Sequence, residues 1–349
     1  MSGRERSSTK RNLPGAVRVP GLFCAGYESR ALFYEDKDVK VLKEDIFSLY
    51  EKCNLCPRAC QVNRLKGERG ACGSSSRLLV ARAGLHMWEE PVISGSKGSG
   101  TVFFAGCSLH CVFCQNNEIS GINPKGKELS VEELSDILLK LEKEGANNIN
   151  FVTPTHFMPH IYEAVILSKE RGLKIPIIYN TSGYEKKENL KILEGLVDVY
   201  LPDAKYVNEG ISKLYSNASD YGSINIEALK EMVSQTGPVL IDEESGLIKK
   251  GVIVRHLVLP GHTRESMEVI KRLYLTFKDD IYISIMRQYT PFEDFLPKGE
   301  EFKNLHRRVT KREYDKVVDF SLDLGIKNAF IQEVKTALES FVPSFDCNF

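Results

Sequence analysis

The chain has 349 residues, with 47 basic and 47 acidic side chains, so its formal charge is zero. This length supports one large domain or two ordinary ones, each with a sizeable core. The balanced charge gives no electrostatic reason to expect nucleic acid or a membrane as a partner, and no apolar run reaches the roughly 18 residues of a membrane span. Because the N-terminus also lacks an apolar signal region, we expect a soluble, cytoplasmic protein.

The chain is predicted to begin with a flexible tail, residues 1–36, followed by a helical and cysteine-rich segment, residues 37–95. Residues 1–20 combine five basic side chains with serine, glycine and proline, and they offer little apolar surface to bury. Within residues 38–52, apolar positions follow a helical period and lead directly into Cys53.

Seven of the nine cysteines fall into two tight clusters, which favours metal ligation in a reducing compartment over disulfides. Cys24 and Cys347 are left over, and we expect them to be structural or incidental. The first cluster has the spacing C-x2-C-x3-C-x11-C and consists of Cys53, Cys56, Cys60 and Cys72. Four thiols suit a structural zinc ion or a [4Fe–4S] cluster, and the spacing does not choose between them. Zinc would organise the segment, whereas a cluster could conduct electrons or bind a substrate.

Short β-branched runs alternate with amphipathic stretches from Thr101 onwards. The runs are TVFFA, NINFVTP, IPIIYNTSG, VDVYLPDAK, VIVRHLVLP and YISIMRQYTP. Ser130 and Glu133 form a capping box at the start of the first helix, and Gly145 ends that helix. Further helices are predicted at 157–171, 186–196, 224–235, 264–276 and 311–324, before a last strand, NAFIQE.

Apolar strands that alternate with helices indicate a parallel sheet covered by helices. The predicted fold class is α/β, as a partial (β/α)6 TIM-type barrel over residues 96–335, with a C-terminal tail at 336–349. A dinucleotide-binding sheet would carry a glycine-rich loop after its first strand, and cysteines occupy that place here. Ligands of parallel β/α folds bind at the carboxyl ends of the strands, so polar residues there form the candidate site.

The second cysteine cluster, in GCSLHCVFCQNN, places Cys107, Cys111 and Cys114 directly after the first of these strands. Three thiolates can hold three corners of a [4Fe–4S] cluster and leave the fourth iron open. Two other interpretations remain at this point. His110 could complete a Cys3His zinc site, and Cys111 with Cys114 could form a redox pair.

The spacing C-x3-C-x-aromatic-C after the first strand of a β/α barrel resembles the radical S-adenosylmethionine superfamily. The surrounding EEPVISGSKGSGTVFFAGCSLHCVFCQNNEIS is similar to the branch related to pyruvate formate-lyase-activating enzymes, and the likeness runs from near Cys53 to FVPSFD. The resemblance implies that S-adenosylmethionine binds the open iron through its amino and carboxylate groups. One electron from the reduced cluster then breaks the C–S bond, and the resulting 5′-deoxyadenosyl radical abstracts hydrogen from a substrate.

The resemblance also suggests cofactor-binding residues at the strand ends. They are Phe113, beside the adenine, Lys205, paired with the cofactor carboxylate, and Asp203, which would orient that contact or bind a cation. The residues themselves suggest three more: Thr153 could offer a backbone carbonyl or a hydroxyl, Asn180 either bonds a ribose or substrate or simply forms the turn, and Arg255 could meet a carboxylate. The stretch FVTPTHF stands where the family has a Gly-Gly-Glu turn, which leaves the contact to the cofactor's amino group open. His156 in that stretch is either a polar contact or a helix-start residue, and no catalytic residue is assigned.

A burial argument accompanies these assignments. A charged Arg255 inside an apolar strand requires a carboxylate partner, from the cofactor or the protein. His256, the next residue, points to the opposite face and is expected to be packed. Asp203 and Lys205, two apart on one strand, could equally form an internal ion pair.

Two hypotheses about function follow. The leading one is a radical S-adenosylmethionine enzyme that acts on an unknown protein, peptide or small molecule, with a glycyl-radical enzyme as one option. Its electron donor would be a flavodoxin or a ferredoxin. The alternative is a non-catalytic iron–sulfur or zinc protein for electron transfer or binding.

Overall fold

The computed structural model describes residues 45–332 and Phe345. The predicted tail at 1–36 lies outside the described residues, as do Cys24, Cys347 and all of the C-terminal tail except Phe345. The domain bounds therefore stay predictions.

The strands of one mixed sheet form the centre of the described structure. In chain order they are β1 (Leu78–His86), β2 (Ser99–Phe104), β3 (Lys127–Leu129), β4 (Ile149–Val152), β5 (Ile177–Thr181), β6 (Val199–Pro202), β7 (Leu240–Ile241), β8 (Ile248–Leu257), β9 (Tyr282–Met286) and β10 (Ala329–Ile331). Their order across the sheet is β10-β9-β8-β6-β5-β4-β2-β1-β3, with β7 paired to β8.

The strands β2, β4, β5, β6, β8, β9 and β10 run parallel, and each pairs with the next strand of this parallel set. This sequential order is that of a singly wound β/α fold, in contrast to the reversed order of a dinucleotide-binding sheet. The path is open at both ends, as a partial barrel requires. The predicted fold class, a partial TIM-type barrel, is therefore confirmed.

Helices follow most of the parallel strands. In chain order they are α1 (Pro91–Ser94), α2 (Asn117–Ser120), α3 (Val131–Lys143), α4 (Met158–Glu170), α5 (Lys187–Leu190), α6 (Glu209–Ser216), α7 (Tyr221–Thr236), α8 (Thr263–Phe277) and α9 (Lys311–Asp323). The predicted capping box at the start of α3 is present, since Ser130 and Glu133 each bond the other's backbone N–H. Within the described residues, no helix is both long and apolar enough to cross a membrane.

The region before β2 differs most from its prediction. Residues 45–52 are the described part of the helical pattern predicted at 38–52. Of these, only Ile46–Tyr50 is helical, and it forms a 3-10 helix. Strand β1 was not predicted, although it pairs antiparallel with β2 along its length. Helix α6 was also missed. The run Leu78–His86 was missed because it lies within a segment dominated by cysteine, glycine and serine, where the strand pattern is short.

The inner face of the sheet changes from apolar to polar along the strands. Ile178 precedes Asn180 by two positions on β5, and Ile253 precedes Arg255 by two on β8, so each pair shares a face. Ile93 of α1 packs against this apolar layer and fills it. The polar layer therefore lies above it, at the carboxyl ends of the strands.

Candidate active site

The three-cysteine loop connects β2 to α2 and begins at Gly106. Gly106 has a φ of 97°, and a Cβ on it would lie 2.7 Å from the carbonyl oxygen of Cys72. Only glycine tolerates both the left-handed backbone and this close approach. The loop is thereby fixed against the first cysteine segment.

Hydrogen-bond donors surround the three sulfurs of this loop. Ser216 donates its hydroxyl to the Sγ of Cys111 at 2.9 Å, and the backbone N–H of Leu109 lies 3.4 Å from the Sγ of Cys107. Ser120 donates to the Sγ of Cys114 at 3.5 Å. Such donors suit thiolates, because they stabilise charge on sulfur.

Electrostatics also tie the three thiols together. Burial raises the pKa of Cys107, Cys111 and Cys114, and the neighbouring thiols of the loop raise each pKa further. Lys205 lowers each of these three pKa values, and a metal centre placed between the sulfurs would stabilise their thiolate forms further. His110 bonds the carbonyl of Ala71 through its Nε2 at 2.6 Å.

A cavity of about 230 Å³ opens beside the loop, at the carboxyl ends of the strands. The three cysteines and every predicted cofactor residue line it. Those residues are Phe113, Thr153, Asn180, Asp203, Lys205 and Arg255. Ser182 lines the cavity as well, whereas His156 and His256 do not.

An ion-pair network crosses the cavity. Asp203 accepts from Lys205 at 2.6 Å and from Nε of Arg255 at 3.2 Å. Burial alone would raise the pKa of Asp203, but the two cations outweigh it and hold that pKa below its usual value. Arg255 also donates to Asn180 Oδ1 at 2.6 Å. The expected carboxylate partner of Arg255 is thus a protein side chain, and the internal pairing of Asp203 with Lys205 is present.

Phe113 and Thr153 are the two remaining residues that the sequence predicts to contact the cofactor. Phe113 is buried against the rings of Tyr206, Tyr215 and Tyr289, with centroids 6.2 to 6.4 Å apart, and its ring also faces the cavity. Thr153 adopts a φ of 58°, which is costly for a β-branched residue. Its N–H donates to the carbonyl of Asn180 at 2.9 Å, and this bond holds the strained turn in place.

Sequence reasoning assigned no role to the acidic pair before α1. Glu89 lines the cavity, accepts from Nη1 of Arg255 at 3.3 Å and from Asn150 at 3.2 Å. Burial raises the pKa of Glu89 and of Glu90, although Arg255 opposes the shift in both. Two adjacent acids directly before a proline-initiated helix were the available signal.

Glu185 is a second residue that the sequence did not reveal. It is buried, and its Oε1 accepts the hydroxyls of Thr155 and Thr181, which follow or end β4 and β5. Burial raises its pKa to about 7, and these two bonds oppose the shift. Glu185 thereby joins the two strand ends at the place where the family's Gly-Gly-Glu turn is missing.

The two open histidine questions have structural answers. His156 lies in the short helix Thr155–Phe157 and bonds the carbonyl of Ala105 at 2.9 Å, so it is a packed helix-start residue. His256 is buried and donates from Nδ1 to the carbonyl of Ala204 at 2.7 Å, as expected for the opposite face.

The four-cysteine segment packs outside the cavity. Cys53, Cys56 and Cys72 are buried, and Cys60 is partly exposed. The Sγ of Cys60 accepts the backbone N–H of Ala71 at 3.2 Å. Among the described residues, no group of three or more His, Cys, Asp or Glu side chains is already drawn together as around a single ion.

Comparisons with known proteins agree with this site. The family model described as the radical SAM superfamily matches residues 101–274, which include the three-cysteine loop and its cavity. The chain belongs to the radical SAM superfamily. It is 30% identical over 318 residues to the uncharacterized protein MJ0674 of Methanocaldococcus jannaschii, covering 85% of this chain and 84% of that protein.

Two solved structures have a partial likeness in fold to this chain. SuiB of Streptococcus suis, bound to its precursor peptide SuiA, has 14% identity and a TM-score of 0.46, over 66% of this chain and 48% of SuiB. Methylornithine synthase (PylB) has 15% identity and a TM-score of 0.42, over 62% of this chain and 59% of that structure. The chain therefore spans about half to three fifths of the length of these structures.

Membership of the radical SAM superfamily implies an enzyme with a [4Fe–4S] cluster and S-adenosylmethionine as cofactors. The donor set fits this cluster, because three partly buried thiols with hydrogen-bonded sulfurs line one cavity. The finer likeness to pyruvate formate-lyase-activating enzymes stays a prediction.

Proposed function

We propose that this radical SAM enzyme cleaves S-adenosylmethionine reductively in the cavity beside the three-cysteine loop and abstracts a hydrogen atom from a substrate bound there. The observation that supports it most is the shared wall: three cysteines and the cations Lys205 and Arg255 face one cavity. When bound and reduced, the cluster and S-adenosylmethionine supply the organic radical for this reaction.

The residues of the chain would hold and orient these groups. Cys107, Cys111 and Cys114 would bind three irons as thiolates. Lys205 would meet the cofactor carboxylate, because its partly buried side chain lines the cavity beside the loop. Asp203 would keep Lys205 aligned through their 2.6 Å ion pair.

The remaining predicted contacts concern the nucleoside and the amino group. Phe113 would pack beside the adenine, with its ring held by three tyrosines. Asn180 offers an amide to a ribose or a substrate, and Thr153 offers a carbonyl or hydroxyl to the cofactor amine. Glu185 fixes this turn by binding Thr155 and Thr181.

The substrate that we propose for this enzyme is a protein, a peptide or a small molecule. Activation of a glycyl-radical enzyme is one option within it, and a flavodoxin or ferredoxin would donate the electron. A second metal centre, a [4Fe–4S] cluster or zinc, is proposed at Cys53, Cys56, Cys60 and Cys72.

The test is to reconstitute the protein with iron and sulfide without oxygen, reduce it with dithionite and add S-adenosylmethionine. We expect 5′-deoxyadenosine and methionine in equal amounts, and a change in the electron paramagnetic resonance spectrum when the cofactor binds. Absence of both would overturn the proposal and favour a non-catalytic electron-transfer protein. A glycyl-radical signal in an added glycyl-radical enzyme would support the activase option.

A further inference from the structure

Arg64 is a fully buried guanidinium between the two cysteine clusters. Its relative exposure is 0%, and it is the largest of the fully buried side chains among the described residues. Nε and Nη2 donate to the carbonyl of Ser75 at 3.1 and 2.6 Å, and Nη1 donates to the carbonyl of His156 at 2.6 Å. The guanidinium also stacks on the ring of Tyr50, 4.3 Å from its centroid.

These contacts satisfy the hydrogen-bond donors of Arg64 without neutralising its charge. Within residues 45–332 and Phe345, its hydrogen bonds to oxygen end on carbonyls, and no carboxylate forms an ion pair with it. A buried charge without a counter-charge is costly, and arginine stays charged at any ordinary pH. An anion is therefore expected next to this side chain.

The nearest candidates are the thiols of the four-cysteine segment. Nη1 of Arg64 lies 3.9 Å from the Sγ of Cys53, and Cys56 and Cys72 are buried in the same segment. Four thiolates around a zinc ion or an oxidised [4Fe–4S] core leave a net charge of about −2 on the centre. Such a centre would supply the missing negative charge.

We propose that Cys53, Cys56, Cys60 and Cys72 hold an anionic metal–thiolate centre and that Arg64 is its buried counter-ion. This inference rests on the second centre of the proposed function, and it adds the charge of that centre and the residue that balances it. Arg64 acts through the cysteines as a positioning residue. Zinc and a [4Fe–4S] cluster share this chemistry, and metal analysis separates them.

Contacts of the same four-cysteine segment extend to the three-cysteine loop. His156, which accepts from Arg64, bonds through Nε2 to the carbonyl of Ala105, two residues before Cys107. The carbonyl of Cys72 lies against Gly106. Arg64 and the four-cysteine segment therefore contact the same residues that hold the three-cysteine loop in place.

The first experiment measures iron, sulfide and zinc per chain after anaerobic reconstitution. About eight irons, or about four irons with about one zinc, would support the second centre, whereas about four irons without zinc would overturn it. A variant with Cys107, Cys111 and Cys114 all changed to Ala should retain about four irons or about one zinc. Metal retention there is independent of S-adenosylmethionine cleavage, so failure of the proposed function stays distinguishable.

The second experiment tests Arg64 itself with Arg64→Met, Arg64→Lys and the matched control Arg69→Met, an exposed arginine of the same segment. Arg64→Met should weaken metal retention against a chelator by about 10- to 100-fold, and Arg64→Lys should recover part of it. The rise in Tm on metal binding should shrink in Arg64→Met and stay unchanged in Arg69→Met. An unchanged rise in Arg64→Met, or equal losses with and without metal, would assign Arg64 to packing alone.

Discussion

The two cysteine regions differ in what faces their thiols. Cys107, Cys111 and Cys114 line a cavity that the ion-paired Lys205 and Arg255 also line. In the other region Cys53, Cys56 and Cys72 are buried, Cys60 is partly exposed, and the charge beside Cys53, Arg64, is fully buried. Three thiols beside an open cavity suit a centre that binds a small molecule, while four thiols in a packed segment suit a closed one.

The largest effect expected is the loss of S-adenosylmethionine cleavage when the three-cysteine loop is changed. We call this loop and its cavity the open region. Cys114→Ala should remove one of three ligands and reduce 5′-deoxyadenosine formation to background, because the cluster loses its anchoring. Cys56→Ala should leave the cluster of the three-cysteine loop in place and lose the metal held by Cys53, Cys60 and Cys72. Product and metal content per chain measure the two effects, with Cys24→Ala as control. Formation of 5′-deoxyadenosine by Cys114→Ala would contradict the proposed division of roles between the two cysteine regions.

Breaking the ion-pair network of the open region should give the largest loss in the free energy of unfolding. Arg255→Met leaves Asp203 and Glu89 without their shared cation, and we expect a loss of about 3–5 kcal/mol in the free energy of unfolding. Urea denaturation measures it against Arg312→Met, an exposed arginine on α9. Equal stability of both variants would show that the carboxylates do not depend on Arg255.

A pH dependence should arise where the two regions meet, at Glu185. Burial raises its pKa from 4.5 to about 7, so folding favours its neutral form. Its contribution to stability is complete below pH 4.5 and is lost as the pH rises to 7, by at most roughly 3 kcal/mol. The free energy of unfolding should therefore fall less between pH 4.5 and 7 in Glu185→Gln than in wild type. The exposed control Glu188→Gln should show the same fall as wild type. Identical slopes for wild type and Glu185→Gln would contradict this assignment.

Cofactor binding should depend on the cation of the open region. Lys205→Met removes a charged hydrogen-bond donor from the cavity, and the Kd for S-adenosylmethionine should rise about 10- to 100-fold. Equilibrium dialysis with the reconstituted protein measures it, and Lys230→Met, an exposed ion-paired lysine, is the control. A Kd equal to that of wild type would leave Lys205 as a partner of Asp203 alone.

The smallest effect concerns the contact between the two regions. Arg58 donates to the carbonyls of Ser108 and Ser216 at 2.8 and 2.9 Å, and Ser216 bonds Cys111. Arg58→Met should lower the free energy of unfolding by about 1–3 kcal/mol and speed the release of iron from the three-cysteine loop. Iron release to a chelator at wild-type rate would show that the regions are independent.

Local sequence determined much of this protein. The alternation of β-branched runs and amphipathic stretches gave the partial barrel, because periodicity reports which face of each element is buried. The spacing of Cys107, Cys111 and Cys114 gave the resemblance to the radical SAM superfamily, and that resemblance implied the reaction class. This was possible because the three ligands of such a cluster lie close together in the chain. The polar ends of the strands gave Asn180, Asp203, Lys205 and Arg255, all of which line the cavity.

Only the tertiary structure decided the partners of the buried charges. Arg255 meets Glu89, which lies 166 positions away in the chain, and Arg64 meets the carbonyl of His156, 92 positions away. Glu185 likewise joins the ends of two strands through threonines that no spacing rule connects. Periodicity shows that a side chain is buried, but the counter-charge of a buried group depends on which distant segments fold against it.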